Sequence, residues 1–462
     1  MTDTTTLPES QDGIHDEEDR LLPRYVREVL DAVEGGQIDK ARELVEPLHP
    51  ADVADLIELA PEDDRPDLIT ALGGEVDADV YAEMNEHVRE LVIEEMDPAI
   101  AASLTADMET DDAVAMLEDL EEEDQQAILE EMEPDDRVAV EEALAYPEET
   151  AGRIMQRELI AVPEHWNVGK VIDYMRSDQE LADDFWEVFV VGPQHHPVGT
   201  TKLSTLLRTK RDVPIRDIMQ EEQTLIPVEM DQEEVALRFQ KYGLISAAVI
   251  DPSGRLVGMI TVDDIVHIIE EEASEDALLL SGAGDGDINE PVREAYRDRV
   301  RWLIANLGTA LLATFVIAQF ESTIARLAIL AALMPIVAAL GGNAGTQALA
   351  VTVRAIATNQ LTGSNRARAI RRELKVAILN GVTVAVILGI GVAIFLDPII
   401  GAVIAAAILF NIVVAGLAGV LVPITLERFG ADPAVASSVF VTTVTDTMGF
   451  LAFLGLASAV LL

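Results

Sequence analysis

Five long apolar stretches in the last third of the chain constrain its fold more than any other feature. They are residues 302–320, 327–353, 376–396, 398–426 and 433–462. Each meets the roughly 20-residue length that an α-helix needs to cross a bilayer, and buried helices of soluble proteins rarely run so far without charge. The sequence therefore predicts five transmembrane helices within residues 301–462. Asp446 is the one charged residue inside any of these stretches.

The two parts of the chain carry opposite net charge. Of the 83 Asp and Glu residues, 75 precede Pro291, together with only 20 of the 32 Lys and Arg residues. The front part therefore has a net charge of −55 and the rest +4. Such a negative surface repels nucleic acid and anionic lipid head groups, so neither is expected as its partner. Adaptation to a salt-rich cytoplasm would account for much of this acidity.

Basic residues beside the apolar stretches predict how the chain is oriented in the membrane. Lys and Arg collect on the cytoplasmic side of membrane proteins. They precede the first stretch and follow the second, as Arg293, Arg297, Arg299, Arg301, Arg366, Arg368, Arg371, Arg372 and Lys375. Residues 1–19 lack the basic start and apolar core of a signal peptide. We therefore expect a multi-pass protein of the cell membrane, with cytoplasmic N-terminal domains and an external C-terminus.

The segment from residue 23 to 147 predicts a domain of short helices, preceded by a disordered acidic leader at 1–22. Residues 94–98, Glu-Glu-Met-Asp-Pro, return as Glu-Glu-Met-Glu-Pro at 130–134. Amphipathic helices that are broken by Pro or Gly and repeat in series are typical of a small helical solenoid. No catalytic constellation occurs in this segment. The absence of cysteine from the whole chain excludes thiolate metal sites and disulfides.

A second repeat, with a spacing of 64 residues, covers about 148–212 and 213–272. Ile-Met-Gln at 154–156 returns at 218–220, and each copy predicts a β-α-β-β-α unit with Gly and Pro turns. The pair resembles a tandem of cystathionine β-synthase (CBS) domains, a regulatory module that often binds adenosine nucleotides. An acidic helix from Asp263 to Leu280 and a glycine-rich break follow, so residues 263–300 predict a linking helix and linker.

The resemblance to CBS domains implies a nucleotide site in the second copy. In such modules a Gly-x-x-Ser/Thr-x-x-Asp element places a hydroxyl and a carboxylate beside the ribose. Gly258, Thr261 and Asp264 form this element, whereas the first copy has Lys202 and Thr205 where the hydroxyl and the acid belong. One ATP-type site per chain is implied. A CBS pair that binds no nucleotide and serves as a hinge is the alternative.

Polar residues inside two of the apolar stretches indicate an ion pathway. In the second stretch, Pro335 and the run 341–347, which contains Asn343, weaken the helix and add amide oxygens at membrane depth. Such a segment either lines a cavity or packs closely on another helix. In the fifth stretch, Ser438, Thr442 and Asp446 are spaced by four and share one helix face. An intramembrane acid is by default a functional site.

The ligand atoms available in the membrane part favour a hard cation. None of the seven histidines lies beyond His267, so hydroxyl, amide, carbonyl and carboxylate oxygens remain, and these suit Mg²⁺ or Ca²⁺ rather than zinc or copper. One carboxylate per chain is little charge for a dehydrated Mg²⁺. A homodimer that offers two copies of Asp446 to a hydrated ion is the economical arrangement.

Nearly the whole sequence resembles the MgtE family of magnesium channels. The most specific motifs are Phe320-Glu321, the segment 335–347 with Arg354, and the segment 432–446 with Gly449. The resemblance implies a multidomain fold: an all-α helical-repeat N domain, an α/β tandem CBS pair and an α-helical transmembrane domain of five spans.

The resemblance also implies how such a protein works. It implies a homodimer with the pore at the subunit interface, where Asp446 holds hydrated Mg²⁺ with carbonyl help near Thr442. Cytoplasmic Mg²⁺ is expected to bridge acids of the N domain, the CBS pair and the linking helix and so to close the pore. The matching positions are Asp111, Asp264, Glu272, Glu275 and Asp276.

Some positions depart from the family pattern. Ser438-Val439 stands where Asn or Gly followed by Pro is common, which affects the expected shape of the pore entrance. His267 and Ala115 replace acids of the implied sensor, so it has fewer sites or responds to a higher Mg²⁺ level.

Three other functions are alternatives to a channel. An ion-coupled carrier of divalent cations such as Mg²⁺ or Co²⁺ is compatible with the same residues. A membrane-tethered nucleotide sensor leaves the polar stripe unexplained. An intramembrane aspartyl protease needs two carboxylates that share a proton, and only Asp446 lies deep in a span, so no enzymatic activity is expected.

Overall fold

The computed structural model describes residues 13–17, 19–177, 181, 185–281, 286–434 and 437–461. The chain divides into two units, Met1–Ile269 and Glu270–Leu462. The first unit contains short helices followed by two small sheets, and the second contains long apolar helices. The finer domain limits at residues 147, 212 and 272 stay predictions.

Ten short helices build the first part of the first unit. They are α1 (Pro23–Glu34), α2 (Ile38–Val45), α3 (Pro50–Leu59), α4 (Arg65–Leu72), α5 (Ala78–Ala82), α6 (Glu86–Glu94), α7 (Pro98–Ala106), α8 (Thr110–Glu118), α9 (Glu122–Glu131) and α10 (Pro134–Leu144). Proline opens α1, α3, α7 and α10, where its missing N–H and fixed φ suit the first helical turn. The side chain of Asp97 accepts a hydrogen bond from the Ala99 amide and so caps α7. The predicted helical N domain is confirmed.

The apolar sides of these helices meet in one core. Leu56, Ile57, Leu68 and Leu117 are fully buried there. Residues just before α1 belong to the same core, because Leu21 and Leu22 are each only 5% exposed. Leu21 and Leu22, the last two residues of the predicted leader 1–22, are packed because their side chains are apolar, and the limits of the leader stay a prediction. Residues 1–12 of that prediction lie outside the described residues.

Two three-stranded sheets follow, one for each predicted copy. The first contains β1 (Ala161–Pro163), β2 (Glu187–Val191) and β3 (Pro197–Lys202), with helices α11 (Val168–Met175) and α12 (Leu203–Arg208). The second contains β4 (Leu225–Pro227), β5 (Ser246–Ile250) and β6 (Leu256–Thr261), with α13 (Gln232–Tyr242) and α14 (Val262–Ser281). In both sheets the first two strands are parallel and the last two antiparallel. The predicted β-α-β-β-α units are confirmed.

The leading segment of each copy pairs with the last strand of the other copy. Gln156 and Met259 exchange two backbone hydrogen bonds of 2.9 Å, and Thr200 and Gln220 do the same at 3.1 and 2.8 Å. A Cβ added at Gly258 would come within 2.8 Å of the Gln156 carbonyl oxygen. Glycine is needed at this position because the crossing backbone approaches so closely.

Six helices build the second unit after α14. They are α15 (Val292–Ala318), α16 (Glu321–Arg326), α17 (Ile329–Ala357), α18 (Arg366–Phe395), α19 (Pro398–Arg428) and α20 (Ser437–Leu461). All but α16 are long and apolar enough to cross a membrane by length and composition. The five predicted spans are confirmed. Helices α15 and α18 begin ten residues before their apolar stretches, because the basic segments there are also helical.

Small residues bring the membrane helices together. On α18, Ala377, Gly381, Ala385 and Gly389 recur every fourth residue and are buried. A Cβ added at Gly401 of α19 would lie 2.6 Å from the Gly389 carbonyl oxygen. Such spacing lets helix backbones approach closely where no hydrophobic effect drives association. Of the five spans, α19 is the most buried and α15 the least.

Candidate functional site

The polar stripe predicted in the fifth span lies on one flank of α20. Val441 and Thr445 are completely buried and face the neighbouring helices. Asp446 and Ser438 are half-buried, and Thr442 is exposed. The stripe therefore runs beside the packed face of α20 rather than within it. The Asp446 carboxylate is partly exposed on the surface of the chain.

Helices α17 and α20 are antiparallel, and their contacts fix the level of Asp446. A Cβ added at Gly345 of α17 would meet Val441 at 2.5 Å and Thr445 at 3.5 Å. At the other end, Gly341 of α17 and Gly449 of α20 both face the same side chain of α19. Residues 341–345 of α17 are therefore level with residues 449–445 of α20. The polar run of the second span lies at the depth of Asp446.

Asn343 lies at this depth but on another side of α17. It is two residues from the buried Gly341 and Gly345, which turns it about 200° around the helix from either glycine. Its side chain is exposed. Within one chain, the structure therefore brings Asn343 to the level of Asp446 without placing it on the packed side of α17.

Asn411 of α19 is a polar membrane residue that the sequence analysis missed. Its side chain is 1% exposed, and its Nδ2 donates a hydrogen bond of 3.0 Å to the Val337 carbonyl of α17. The signal that could have found it is a lone amide inside the apolar stretch 398–426. The sequence analysis missed Asn411 because it has no polar neighbour at helical spacing.

The structure brings together two of the predicted sensor acids, Asp111 of α8 and Asp264 of α14. Burial raises the pKa of Asp111 well above its usual range, and the negative charges of Asp264, Asp112 and Glu109 raise it further. Its Oδ1 is buried and finds no hydrogen-bond partner among the described residues. The Asp111 carboxylate therefore lies among like charges, and a backbone hydrogen bond opposes the rise in its pKa only in part.

Two further acids of this cluster were not predicted. Burial and neighbouring carboxylates raise the pKa of Glu109 to about 7 and that of Asp112 to about 6. The Gln156 side chain donates a hydrogen bond of 2.7 Å to Glu109, and Thr110 donates one of the same length to Glu158. Among 75 acids in the front part of the chain, no sequence pattern distinguishes these.

The residues of the predicted nucleotide site contact one another and their own chain. The Thr261 hydroxyl donates a hydrogen bond of 2.6 Å to Asp264, in the manner of a side chain that caps the start of α14. Burial raises the pKa of Asp264, and the nearby His267 opposes that shift. Gly258 is explained by the crossing backbone at Gln156. These contacts account for all three residues without a nucleotide.

The other predicted sensor residues, Glu272, Glu275 and Asp276, belong to α14 in the second unit. Glu275 is exposed and Glu272 half-exposed, and the side chain of Asp276 is outside the described part. In the last turn of α14, Leu279 and Leu280 pack against a buried cluster from α17, α19, α20 and the segment before α20, namely Leu349, Val353, Ala418, Ala434 and Val441. The end of the linking helix therefore contacts the helices that carry the polar residues.

The acid cluster at Asp111 has the chemistry of a cation site but not a finished coordination shell. Within the described ranges, no three His, Asp or Glu side chains are arranged to hold a metal ion. A divalent cation would nevertheless relieve the repulsion that raises the pKa of Asp111 and would occupy its unpartnered oxygen. Carboxylate oxygens are the ligands that Mg²⁺ prefers. Among the described residues the cluster therefore has ligand atoms of the kind that Mg²⁺ prefers, without the arrangement of a formed site.

Three family models match parts of the chain. The model described as MgtE, divalent cation transporter, matches residues 334–456, and the MgtE intracellular N domain matches residues 48–149. A CBS domain model matches residues 215–271, which is the second copy. These matches agree with the helical, α/β and membrane parts of the structure.

Curated relatives match over most of their length. A magnesium transporter MgtE of Enterococcus faecalis is 34% identical over 319 residues, which cover 69% of this chain and 70% of the relative. The magnesium transporter MgtE of Thermus thermophilus is 32% identical over 327 residues, covering 69% and 72%. A crystal structure of the cytosolic domain of the Mg²⁺ channel MgtE in complex with ATP is 26% identical, with a TM-score of 0.49 over 53% of this chain and 99% of that chain.

Proposed function

Because the chain belongs to the MgtE family of magnesium transporters, we propose that it is a Mg²⁺-selective channel of the cell membrane with Asp446 in its pore. Members of this family are transporters and not enzymes, which removes the protease alternative. The observation that carries the proposal is the position of Asp446. It is a half-buried carboxylate in the middle of α20, level with the polar run of α17.

The exposure of the polar residues at membrane depth supports a homodimer. Thr442, Asp446 and Asn343 lie at membrane depth on surfaces that one chain leaves open. Hydrocarbon cannot solvate a carboxylate, so such residues must face water or protein. A second copy related by two-fold symmetry would place two Asp446 carboxylates across one pathway. Lipid would then contact the apolar surfaces that remain.

The residues of the pathway suit an ion that keeps its water. Mg²⁺ dehydrates reluctantly and is usually bound through one or two carboxylates with several waters retained. Two Asp446 carboxylates would balance its charge, while Ser438, Thr442 and Asn343 can hydrogen-bond the bound waters. A membrane potential of 100 mV supplies about 2.3 kcal/mol for each charge that crosses it. Uptake driven by potential alone would separate a channel from an ion-coupled carrier.

We propose that cytoplasmic Mg²⁺ closes the channel through the predicted sensor acids. Helix α14 carries Asp264 in its first turn and the packed Leu279 and Leu280 in its last. Mg²⁺ bound at Asp111, Asp264, Glu272, Glu275 and Asp276 would remove their repulsion and hold α14 against the membrane helices. Linkage then requires that Mg²⁺ bind the closed form more tightly than the open one.

The predicted nucleotide site and orientation remain finer parts of this proposal. Gly258, Thr261 and Asp264 are the residues for one adenosine nucleotide, although their contacts are explained without it. The basic segments beside α15 and α18 support cytoplasmic N-terminal domains and an external C-terminus.

Replacement of Asp446 by asparagine tests the pore. Asp446→Asn keeps the size of the side chain but removes the charge that attracts Mg²⁺. We expect near-complete loss of Mg²⁺ uptake into proteoliposomes, with normal size-exclusion behaviour of the purified protein. The control is Asp397→Asn, since Asp397 caps α19 through a 2.7 Å bond from the Ile399 amide that asparagine can keep. Wild-type uptake by Asp446→Asn would refute the assignment.

A further inference from the structure

The amide of Asn411 joins three membrane helices at one point. It belongs to α19, and its Nδ2 donates to the Val337 carbonyl of α17 at 3.0 Å. Val337 follows Pro335, whose ring removes one backbone donor from α17 and loosens the helix there. The side-chain hydrogen bond therefore ties α17 to α19 close to this proline.

Two glycines, one on each neighbouring helix, make room for this amide. A Cβ added at Gly341 of α17 would lie 2.1 Å from Asn411 Nδ2. A Cβ added at Gly449 of α20 would lie 2.6 Å from the same nitrogen and 3.1 Å from Oδ1. Both helices therefore contact the Asn411 side chain through glycine backbone atoms. Neither can slide along α19 without carrying a side chain into the amide.

The arrangement is not the one that stability alone would favour. Asn411 Oδ1 is buried and has no hydrogen-bond donor in the described part of the chain. An unsatisfied buried acceptor costs free energy, whereas an apolar side chain of similar size would fill the same space without that cost. An amide retained here, between two glycines, indicates a role in holding geometry.

That geometry concerns Asp446 directly. Gly449 follows Asp446 by three residues, so the turn of α20 that meets Asn411 is next to the turn that carries the carboxylate. We propose that Asn411 is a positioning residue of the ion pathway, which fixes the axial register of α17 and α20 and thereby the depth of Asp446. This inference rests on the proposed function of Asp446.

Register matters because the ion is recognised with its waters. The carboxylate and the polar run of α17 must be spaced for one hydrated Mg²⁺, and other divalent cations differ in size and in how readily they lose water. A slip of one helix past the other changes that spacing without removing any ligand. Loss of the amide should therefore weaken selectivity and apparent affinity more than maximal flux.

The test replaces Asn411 with leucine in the full chain. Asn411→Leu keeps a similar volume but cannot donate to Val337. In proteoliposomes containing equal amounts of purified protein, we expect the half-saturating Mg²⁺ concentration to rise by about tenfold, equivalent to ~1.4 kcal/mol. The ratio of Mg²⁺ to Ca²⁺ uptake should fall with it. A merely structural role would reduce the uptake of both ions by the same factor.

Gly341→Ala and Gly342→Ala provide a matched pair on the same helix. The first places a methyl group against Asn411, whereas no described atom lies within 4 Å of a Cβ added at Gly342. We expect the first variant to lose selectivity as Asn411→Leu does, and the second to behave as wild type. If both transport with wild-type affinity and selectivity, the inference is overturned, even where Asn411→Leu fails to fold.

Register itself can be measured, because the chain has no native cysteine. Positions 345 and 441 are close enough for a Gly345→Cys/Val441→Cys pair to cross-link. Asn411→Leu should lower the yield of this cross-link, and an unchanged yield contradicts the inference. The Asp446→Asn variant separates the two proposals. If it transports normally, the pore assignment fails. If it is inert while Asn411→Leu behaves as wild type, only the positioning role is refuted.

Discussion

At the scale of single residues, Glu109 shows how an acid can oppose the fold that contains it. Its pKa of about 7 in the folded chain lies above the 4.5 of an unperturbed glutamate, because burial and neighbouring carboxylates disfavour its charge. Its contribution to stability is therefore fully present below pH 4.5 and is lost as the pH rises through 7. The pKa of Asp112 is also raised, to about 6, so its contribution to stability is lost as the pH rises through 6.

Glu109→Gln should remove this loss, because glutamine has no charge to bury and can still accept the hydrogen bond from Gln156. In Mg²⁺-free buffer at pH 8, we expect the first unit to gain about 1–2 kcal/mol, since each pKa unit is worth about 1.4 kcal/mol and partial exposure screens part of it. At pH 5 the gain should nearly vanish. Scanning calorimetry of the full chain at both pH values measures this, with the exposed Glu130→Gln as control. An equal gain at both pH values would contradict the explanation.

The residues that sequence reasoning found and missed differ in their local pattern. Asp446 could be predicted because a charge in an apolar stretch is conspicuous and because Ser438 and Thr442 repeat at helical spacing. Glu109 could not, and Asn411 offered only a lone amide in an apolar stretch, since the significance of both comes from neighbours that are distant in the sequence. Asn411 is 74 residues from the carbonyl that it contacts. Tertiary contact, rather than composition, makes such residues distinctive.

At the scale of elements, the number and approximate positions of the five spans and the repeated β-α-β-β-α unit could be predicted from hydropathy and repeats. The way in which the helices pack could not. Alanine and glycine at every fourth position of α18 indicate a close contact, but only the structure identifies Gly401 of α19 as the partner of Gly389. Small residues carry little information about which helix they will meet.

A pair of glycine substitutions tests the contact between α18 and α19. Gly401→Ala would place a Cβ 2.6 Å from the Gly389 carbonyl oxygen, whereas Gly391→Ala meets no described atom within 4 Å. Because backbone cannot move aside as a side chain can, we expect the first to destabilise the membrane unit by about 1–3 kcal/mol. The second should be neutral or stabilising by up to about 1 kcal/mol, since alanine favours a helix. Thermal unfolding in detergent measures both, and equal effects would show that the contact is not tight.

At the scale of the whole molecule, the negative charge of the front part offers a physical basis for the proposed control of the pore. Carboxylates that repel one another favour separation of the parts that carry them, and a divalent cation reverses this. Under the proposed gating, the transported ion would stabilise the closed form and uptake would limit itself. The charge of the front part alone could be predicted as surface acidity. The buried Oδ1 of Asp111 supports the proposed switch over a merely hydrated surface.

The combined change Glu272→Gln, Glu275→Gln and Asp276→Asn should keep the channel open. These substitutions remove charge but supply no bridge between the sensor acids, so high cytoplasmic Mg²⁺ can no longer hold the closed form. We expect Mg²⁺ uptake to continue at internal concentrations that stop the wild type. Flux into proteoliposomes preloaded with increasing Mg²⁺ measures this.

The matched control neutralises three exposed acids at the start of α9, Glu122, Glu123 and Asp124. It makes the same change in net charge on a different helix. Normal closure by the control and failure to close by the first triple variant would support bridging by Mg²⁺. Normal closure by both would mean that the acids of α14 belong to a hydrated surface only.

The exchange of leading segments between the two CBS copies also has a consequence for how the chain is made. Gln156 must find Met259, which is synthesised 103 residues later, so the first copy leaves the ribosome before the strand that completes its pairing exists. Long-range pairings of this kind close slowly and leave strand edges exposed meanwhile. A nascent chain that stops between the two copies is therefore a candidate for aggregation, and the acidity of the preceding helices would keep that intermediate soluble until synthesis passes β6.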